Sequence, residues 1–383
     1  MSRLVRADAE HSVSTLELFF DLVFVFAITQ VTAFVAADPT GYGALQGLLL
    51  LCLVYFSWVA YSWLGTSARV DDRAPTAALF GAMAAMFVVA VLMPAWFTGG
   101  VWAIVATGSY IAVRALHIVL FRLLGADSPE LRKATMQLAA SAGVASALLL
   151  VGAIVGGTAA VVFVALAVII DPIGAFTGGG RGWYLAADHF AERHGLIIII
   201  AIGESLIAVG LAIAGTPPTA GSIALGLIGV VCAALLYVLY FRRAADGMLA
   251  ALAARSGAEQ ARLGRDAFSY GHLSLIAGII ALALALKKSA IVTATEGLGG
   301  HLHGIAGPAL AAAGLLILGG MILIRIRTGL GAPAWLIAGM VLVIAAGILS
   351  VVLPLAAVLA IAAVGFACAA LPQSPTAAPA HSD

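Results

Sequence analysis

Long apolar runs separated by short polar segments dominate the pattern of the chain. A helix needs about 20 mainly apolar residues to cross the hydrocarbon core of a bilayer. By that measure the chain holds about twelve runs. Eleven is the alternative, because the sixth run is short and only a hinge near Pro354 divides the last two. The runs start near residues 16, 43, 75, 101, 134, 158, 194, 220, 268, 303, 331 and 352. The pattern predicts an all-α, polytopic integral membrane protein.

Composition supports the membrane assignment and argues against other classes. Of the 383 residues, 63% are hydrophobic and 10% are charged, whereas soluble domains carry roughly a quarter charged residues. A net charge of +1 gives no basis for a nucleic-acid partner. The three cysteines lie inside apolar runs and match neither a disulfide framework nor a zinc pattern. We predict the lipid bilayer as a partner and no cofactor or resident metal. The sequence does not give the oligomeric state.

The basic residues alternate along the chain in a way that predicts an orientation. If the N-terminus is cytoplasmic, sixteen of the nineteen lysines and arginines fall in cytoplasmic segments or at cytoplasmic helix ends. Arg114 lies within a helix, and Lys287 and Lys288 fall on the other side. By the positive-inside rule, both termini are predicted to be cytoplasmic. Glu17 and Asp21 then lie at the cytoplasmic end of the first helix.

A weak internal repeat is visible when the chain is shifted against itself by about 174 residues. The aligned positions are Ala27, Ile28, Gln30, Arg69 and Asp72 in one copy and Ala201, Ile202, Glu204, Arg243 and Asp246 in the other. The repeat predicts two parallel six-helix halves, residues 1–177 and 178–372, followed by a disordered tail at residues 373–383. Chance similarity in an alanine-rich chain is the alternative. Parallel repeats tend to place sites between the halves, with the first and seventh helices facing each other.

Ionisable and amide side chains interrupt several apolar helices. Such residues are costly in a membrane, so they usually face the bundle interior or a water-filled cavity. Glu17 and Asp21 lie four residues apart on one helix face, where the carboxylates repel each other unless a cation is nearby. Gln30 lies about 13 Å deeper on the same helix. We assign eight residues to a candidate pathway for an ion or solute: Glu17, Asp21, Gln30, Glu204, Ser205, Arg114, His117 and Asp171.

Structural roles are the alternatives for these residues. Carboxylates in the first turn suit the positive end of the helix dipole. Arg114 is also interpreted as a structural partner of a carboxylate, and Asp171 as the cap of a short helix begun by Pro172. His117 and His272 are each interpreted first as hydrogen-bonded core histidines. The aromatic residues near the predicted cytoplasmic helix ends are interpreted as an interfacial belt; they include Trp58, Tyr61 and Trp63.

A second polar group forms a motif at the predicted cytoplasmic face. It consists of His189, Glu192, Arg193 and His272. The histidines and Glu192 suggest acid–base groups of a membrane-embedded enzyme. They do not predict a metal site, because the spacing around His189 is loose and a fourth ligand is not evident. The sequence shows no serine nucleophile motif or phosphate loop. An enzyme is therefore the less favoured hypothesis.

Three stretches resemble the bacterial low temperature requirement protein A (LtrA) family. They are ELFFDLVFVFAITQ (Glu17–Gln30), HFAERHGLIIIIAIGES (His189–Ser205) and RDAFSYGHLSLIAGII (Arg265–Ile280). The similarity spans most of the chain. It implies a polytopic protein of the bacterial inner membrane, in a family named for growth at low temperature. It implies no particular substrate or reaction.

The first helix also resembles the opening helix of bacterial and lysosomal potassium channels that carry a Phe-Ser-Asp motif. The similar stretch is LELFFDLVFVFAIT (Leu16–Thr29). Phe20 and Asp21 stand at the Ser-Asp position, and Glu17 matches. Those channels are built from six-helix units, and this helix lines their pore. The resemblance implies a pore-lining role for the first helix.

The leading hypothesis is a channel or transporter for a small ion or solute. In this hypothesis Glu17 and Asp21 form the cytoplasmic mouth of a pathway, and Gln30 and Glu204 face it from the first and seventh helices. The rivals are the membrane-embedded enzyme and a structural or stress-adaptation membrane protein. In the structural protein the carboxylates are ion-paired supports, with Arg114 and Arg193 as their partners.

Overall fold

The computed structural model describes residues 13–67, 73–124, 128–174 and 185–371. In these ranges the chain consists of helices and turns, without a β-strand. The apolar helices are α1 (Thr15–Ala37), α2 (Gly41–Ser67), α3 (Arg73–Val91), α4 (Val101–Leu124), α5 (Pro129–Val155), α6 (Gly157–Ile170), α7 (Ala187–Ala214), α8 (Ala220–Ala253), α9 (Gly257–Gly299), α10 (Ala306–Thr328), α11 (Ala334–Leu349) and α12 (Leu355–Ala369). The predicted all-α architecture is confirmed. The predicted tail at residues 373–383 lies outside the described residues.

Most helices start within a few residues of the predicted positions, and two start clearly earlier. α7 begins at Ala187 rather than near residue 194, and α9 begins at Gly257 rather than near residue 268. Their first turns carry charged side chains, which an apolar run excludes but a helix backbone tolerates. α6 is short, at 14 residues, as predicted. Pro354 separates α11 from α12 as the N-cap of α12, also as predicted.

The outward faces of the helices show what surrounds them. Among the residues that the structure describes, eight helices are long and apolar enough to cross a membrane. Large apolar side chains point outward on one helix after another; Leu211 is 69% exposed and Ile169 is 63% exposed. Helices that are apolar on all sides need either a protein core or hydrocarbon around them. The chain is therefore a multi-pass membrane protein.

Local sequence explains several helix ends. At the start of α1, Ser14 Oγ accepts a hydrogen bond from the Glu17 N–H, and Glu17 Oε2 accepts one from the Ser14 N–H at 3.0 Å. This reciprocal arrangement satisfies two free donors of the first turn. α10 ends at Gly329, whose φ of +83° lies in the left-handed region that favours glycine. Glu17 therefore acts at the first turn of α1, as predicted, and it also has the contacts described below.

In the described part of the chain, three of the long helices contain a π-helical segment. The segments are Val238–Arg242 in α8, Gly264–Tyr270 in α9 and Leu315–Gly319 in α10. A π-helical turn widens the helix locally and is frequent at functional sites. The segment in α9 overlaps the stretch at Arg265–Ile280 that carries part of the family resemblance, and its side chains line a cavity described below.

The chain divides into two compact units. The first comprises Met1–Glu204 and Leu249–Leu273, and the second comprises Ser205–Met248 and Ser274–Asp383. In the first unit α1 packs against α2 and α3, and α4 packs against α3 and α5. In the second unit α11 packs between α10 and α12, and α12 also contacts α8. The predicted six-helix halves, residues 1–177 and 178–372, stay a prediction.

We expect Arg325 to be a major stabilising residue of the second unit. It is 3% exposed, and its guanidinium donates to the carbonyl oxygens of Gly331, Arg243 and Leu330 at 3.0, 3.1 and 2.9 Å. Arg325→Ala leaves three carbonyls without their donor and should lower the free energy of unfolding by about 3 kcal/mol. Thermal unfolding of purified protein in detergent measures this. Arg327→Ala, at an exposed position on the same helix, is the control, and equal midpoints for the two variants would contradict the assignment.

Candidate functional site

Three helices of the first unit bring together a group of buried polar side chains. We call Glu17, Asp21, Trp58, His189 and Arg193 the charged cluster. The two acids come from α1, the tryptophan from α2 and the two basic residues from α7. Each of the five side chains belongs to a residue that is at most 3% exposed. The cluster therefore combines ionisable groups with nearly complete exclusion from the surface.

Arg193 holds both carboxylates of α1. Its Nη1 donates to Glu17 Oε1 at 3.1 Å, and its Nη2 donates to Asp21 Oδ1. His189 Nε2 lies 3.1 Å from Glu17 Oε2, and Trp58 Nε1 donates to Asp21 Oδ1 at 2.9 Å. Within the described part of the chain, Asp21 Oδ2 has no hydrogen-bond partner. The cluster links α1 to α2 and to α7.

The spacing of the sequence makes this pairing possible. Glu17 and Asp21 lie one helical turn apart, and so do His189 and Arg193, so each pair occupies one face of its helix. Gly65 of α2 lies against them. A Cβ added at Gly65 would overlap Glu17 Oε1 and would lie 3.3 Å from Arg193 Nη1. Glycine at this position therefore lets the α2 backbone approach the charged cluster.

The fixed charges of the cluster do not balance. Two carboxylates face one guanidinium, so the cluster lacks one positive charge when His189 is neutral. Removing an unbalanced charge from water costs several kcal/mol. One proton, on His189 or on a carboxylate, or one bound monovalent cation would balance the cluster. Chemically, the arrangement can take up and release a single positive charge.

Comparison with known proteins identifies the family. The model of the family described as "Bacterial low temperature requirement A protein (LtrA)" matches residues 12–371. The chain belongs to the LtrA family. It is also similar to the uncharacterized protein RA0937 of Rhizobium meliloti (strain 1021), with 25% identity over 285 residues, covering 70% of this chain and 67% of the relative. No solved structure matches the chain.

All three stretches that carry the LtrA resemblance contribute to the first unit. The first supplies the two acids of the charged cluster, and the second supplies His189 and Arg193. The third supplies residues that line a cavity in the same unit, among them Arg265 and Tyr270. Segments far apart in this LtrA protein therefore meet around its buried polar groups.

The cavity has a volume of about 110 Å³ and lies beside α2. Phe56, Ala60 and Trp63 of α2 line it. By helix periodicity these three side chains lie on the face opposite Trp58 and Gly65. α2 therefore presents one face to the charged cluster and the other to the cavity.

A second buried ion pair lies in the cavity wall. Arg114 Nη2 of α4 lies 2.7 Å from Asp171 Oδ1, directly after the last residue of α6. Asp171 is the C-cap of α6, and its carbonyl oxygen accepts a hydrogen bond from Ser141 Oγ at 3.0 Å. Asp171 and Pro172 form a turn. The interpretation of Asp171 as the cap that precedes a helix is therefore incomplete, because the residue ends α6 and binds Arg114.

His194 and His272 form a histidine pair in the first unit. Their ring centroids lie 5.0 Å apart, and Phe190 and Phe268 pack against them. His194 Nδ1 donates to the Phe190 carbonyl at 2.8 Å, and His272 Nδ1 donates to the Ala267 carbonyl at 3.2 Å. The interpretation of a hydrogen-bonded core histidine is confirmed for His272. His117 is also buried, but neither of its ring nitrogens has a partner in hydrogen-bond geometry within the described residues.

Three predicted pathway residues belong neither to the charged cluster nor to the described lining of the cavity. Gln30 is half-buried on α1, nine residues beyond Asp21. Glu204 and Ser205 are buried on α7, about 16 Å beyond Arg193 along a continuous helix. The structure therefore places buried polar groups at two positions along α7, and the cluster occupies only one of them.

The residues of the enzyme hypothesis have separate partners. His189 binds Glu17, and His272 packs against His194. Glu192 is exposed, and its carboxylate accepts a hydrogen bond from the Val13 N–H at 3.2 Å. None of His189, Glu192 and His272 belongs to the described lining of the cavity. The structure does not join the three residues in one substrate pocket.

Two residues of α2, Trp58 and Gly65, contribute to the site but were not predicted from the sequence. Trp58 was interpreted as part of an interfacial belt, and this is wrong, because it is 1% exposed and donates to Asp21. Tyr61 is also buried, and its hydroxyl donates to the Val113 carbonyl at 2.9 Å. Gly65 had no assigned role. The available signal was spacing, since Trp58 and Gly65 lie two turns apart on one helix face.

Proposed function

We propose that this LtrA protein moves a small ion or solute across the bacterial inner membrane, with the charged cluster as a proton- or cation-dependent part of the pathway. The observation that carries the proposal is the pair of buried carboxylates on α1 held by one arginine of α7. Ionisable residues inside membrane proteins commonly mark ion and proton pathways. With a neutral His189 the cluster lacks one positive charge, and it then has two states, with and without a bound proton or cation.

The course of α7 supports the same proposal. The helix runs without interruption from the cluster to the buried Glu204. A second buried carboxylate about 16 Å farther along suits a pathway with more than one site, since conduction and transport need intermediate binding positions. A proton or cation released from the charged cluster would meet another acid, Glu204, farther along α7.

A structural membrane protein is the second candidate. The observation that favours it is the engagement of Arg193 by both Glu17 and Asp21. Buried pairs of this kind can fix the packing of helices without any transport. The two candidates differ in what neutralisation of one carboxylate does: it abolishes flux in a transporter and alters only stability in a structural protein.

We expect Asp21→Asn to abolish flux and to leave the protein folded. The amide keeps an oxygen that accepts from Trp58 and Arg193, and it removes the charge that binds a proton or cation. Purified protein in liposomes should show proton or potassium movement with fluorescent dyes, and Asp21→Asn should reduce that movement at least tenfold. Asp188→Asn, exposed in the first turn of α7, makes the same chemical change and should retain wild-type flux.

Two outcomes would reject the proposal. One is the absence of proton and potassium flux from folded wild-type protein. The other is equal flux from Asp21→Asn and wild type, which would leave the cluster as a structural support. The thermal unfolding midpoint of each variant, measured on the same preparation, separates loss of transport from loss of folding.

A further inference from the structure

We infer that the cavity beside α2 is a binding site for a small carboxylate anion with a short apolar tail. Its residues come from α2, α4, α5 and α9, together with the turn after α6. A volume of about 110 Å³ exceeds what a single water needs, which is on the order of 15 Å³ by the same measure. It is smaller than the pockets that hold drug-sized ligands, about 300 Å³ or more. The space suits a ligand of a few heavy atoms.

The charge of the lining favours an anion. Arg114, Arg262 and Arg265 face the cavity together with one acid, Asp171. Asp171 binds Arg114, and Arg265 binds Asp266, which lies outside the lining. Positive charge therefore exceeds negative charge at the cavity even when both ion pairs are counted. Excess guanidinium charge in a partly enclosed space attracts anions.

Buried polar atoms that lack partners point to where the anion binds. Arg114 is 4% exposed and His117 is 1% exposed, and both line the cavity from one face of α4. Neither Arg114 Nε nor either ring nitrogen of His117 makes a hydrogen bond within the described residues. The Ala60 backbone interacts with the His117 ring, but this contact falls short of hydrogen-bond geometry. Buried donors without acceptors are rare and costly. A carboxylate oxygen can accept from both side chains.

The rest of the wall selects among anions. Phe56, Val59, Phe121, Leu138 and part of Tyr270 give the cavity an apolar side. An inorganic phosphate would leave its oxygens against this side, where they could not be hydrogen-bonded. A carboxylate with a short hydrocarbon tail places its charge at Arg114 and His117 and its tail against the aromatic rings. Butyrate has this shape and charge.

The cavity is also connected to the charged cluster through packing. Trp63 lines the cavity and donates to Ser269 Oγ at 3.1 Å. Its ring packs edge-on against Phe190 of α7, with centroids 5.0 Å apart. Phe190 lies one turn before Arg193. The binding site is inferred from the cavity alone. The further step, that such an anion is the transported solute, rests on the proposed function.

Calorimetric titration of the full-length protein in lipid nanodiscs tests the site. Butyrate should bind to wild type, and its neutral isostere butyramide and inorganic phosphate should each bind at least tenfold more weakly. His117→Phe keeps an aromatic ring against Tyr61 and Phe121 and removes the ring N–H donor, so it should weaken butyrate binding at least tenfold. Arg262→Gln at the exposed rim should weaken it severalfold. Arg122→Gln, exposed on α4 and outside the lining, should bind as wild type does.

Each outcome supports or rejects the site. Butyrate that binds no better than butyramide would overturn it, and so would wild-type affinity in both His117→Phe and Arg262→Gln. If His117→Phe does not fold, Arg262→Gln alone decides. Butyrate binding without ion flux in liposomes would reject the proposed function and support the binding site. Ion flux without butyrate binding would support the proposed function and reject the binding site.

Discussion

Arg193→Gln should give the largest loss of stability of any single substitution in the charged cluster. It removes the guanidinium that binds Glu17 and Asp21, and it leaves two carboxylates buried within one helical turn. Removing one partner of a buried ion pair typically costs about 3–5 kcal/mol, because the remaining charge stays out of water without compensation. We expect a sharp fall in the yield of folded protein and in its thermal unfolding midpoint, measured in detergent. Arg122→Gln, exposed on α4, is the matched control and should leave both unchanged.

Neutralising the acids should restore folding but not transport. In the triple variant Glu17→Gln, Asp21→Asn, Arg193→Gln, the two carboxylates and the guanidinium are replaced by neutral groups, and the acids keep nearly the same shape. Most of the lost stability should therefore return. Ion flux should stay absent, because both carboxylates proposed to bind a proton or cation are replaced by amides. A triple variant that is as unstable as Arg193→Gln would show that the arginine acts through packing rather than charge. A triple variant with wild-type flux would remove the cluster from the pathway.

Gly65→Ala should disrupt the charged cluster from α2. The added Cβ would occupy the position of Glu17 Oε1 and would press on Arg193 Nη1 and His189 Cε1, each at 3.3 Å. The Glu17 carboxylate can move, but it then loses its contacts with Arg193 and His189 while it stays buried. We expect the free energy of unfolding to fall by about 2–3 kcal/mol. The thermal unfolding midpoint should fall and ion flux should be lost.

Two comparisons isolate this cause. Gly108→Ala on α4, where an added Cβ meets open space, should be neutral or stabilising by up to about 1 kcal/mol, as expected for alanine in a helix. In a Glu17→Ala background the overlap partner is gone, so Gly65→Ala should cost much less than in wild type. Equal costs in the two backgrounds would mean that Gly65 matters for a reason other than the Glu17 carboxylate.

The membrane architecture was predictable because it depends on properties that act along the chain. Apolar runs of sufficient length identified the spans, and the short α6 and the hinge at Pro354 followed from run length and proline chemistry. The early starts of α7 and α9 were missed because charged turns such as those around Asp188 and Arg265 continue a helix beyond its apolar part. Span prediction detects hydrophobicity, and helix boundaries are set by backbone hydrogen bonds.

The sequence alone determined that α1 carries two carboxylates on one face and that α7 carries a histidine and an arginine on one face, because helical periodicity is local. It also marked Arg114 and Asp171 as costly in a membrane. Only the tertiary structure decided that Arg193 binds both acids, that Trp58 donates a hydrogen bond to Asp21, and that His117 faces a cavity. Glu17 and Arg193 are 176 residues apart, and their contact depends on the rotation of three helices and on a glycine that lets them approach. These features result from packing, and no local pattern encodes them.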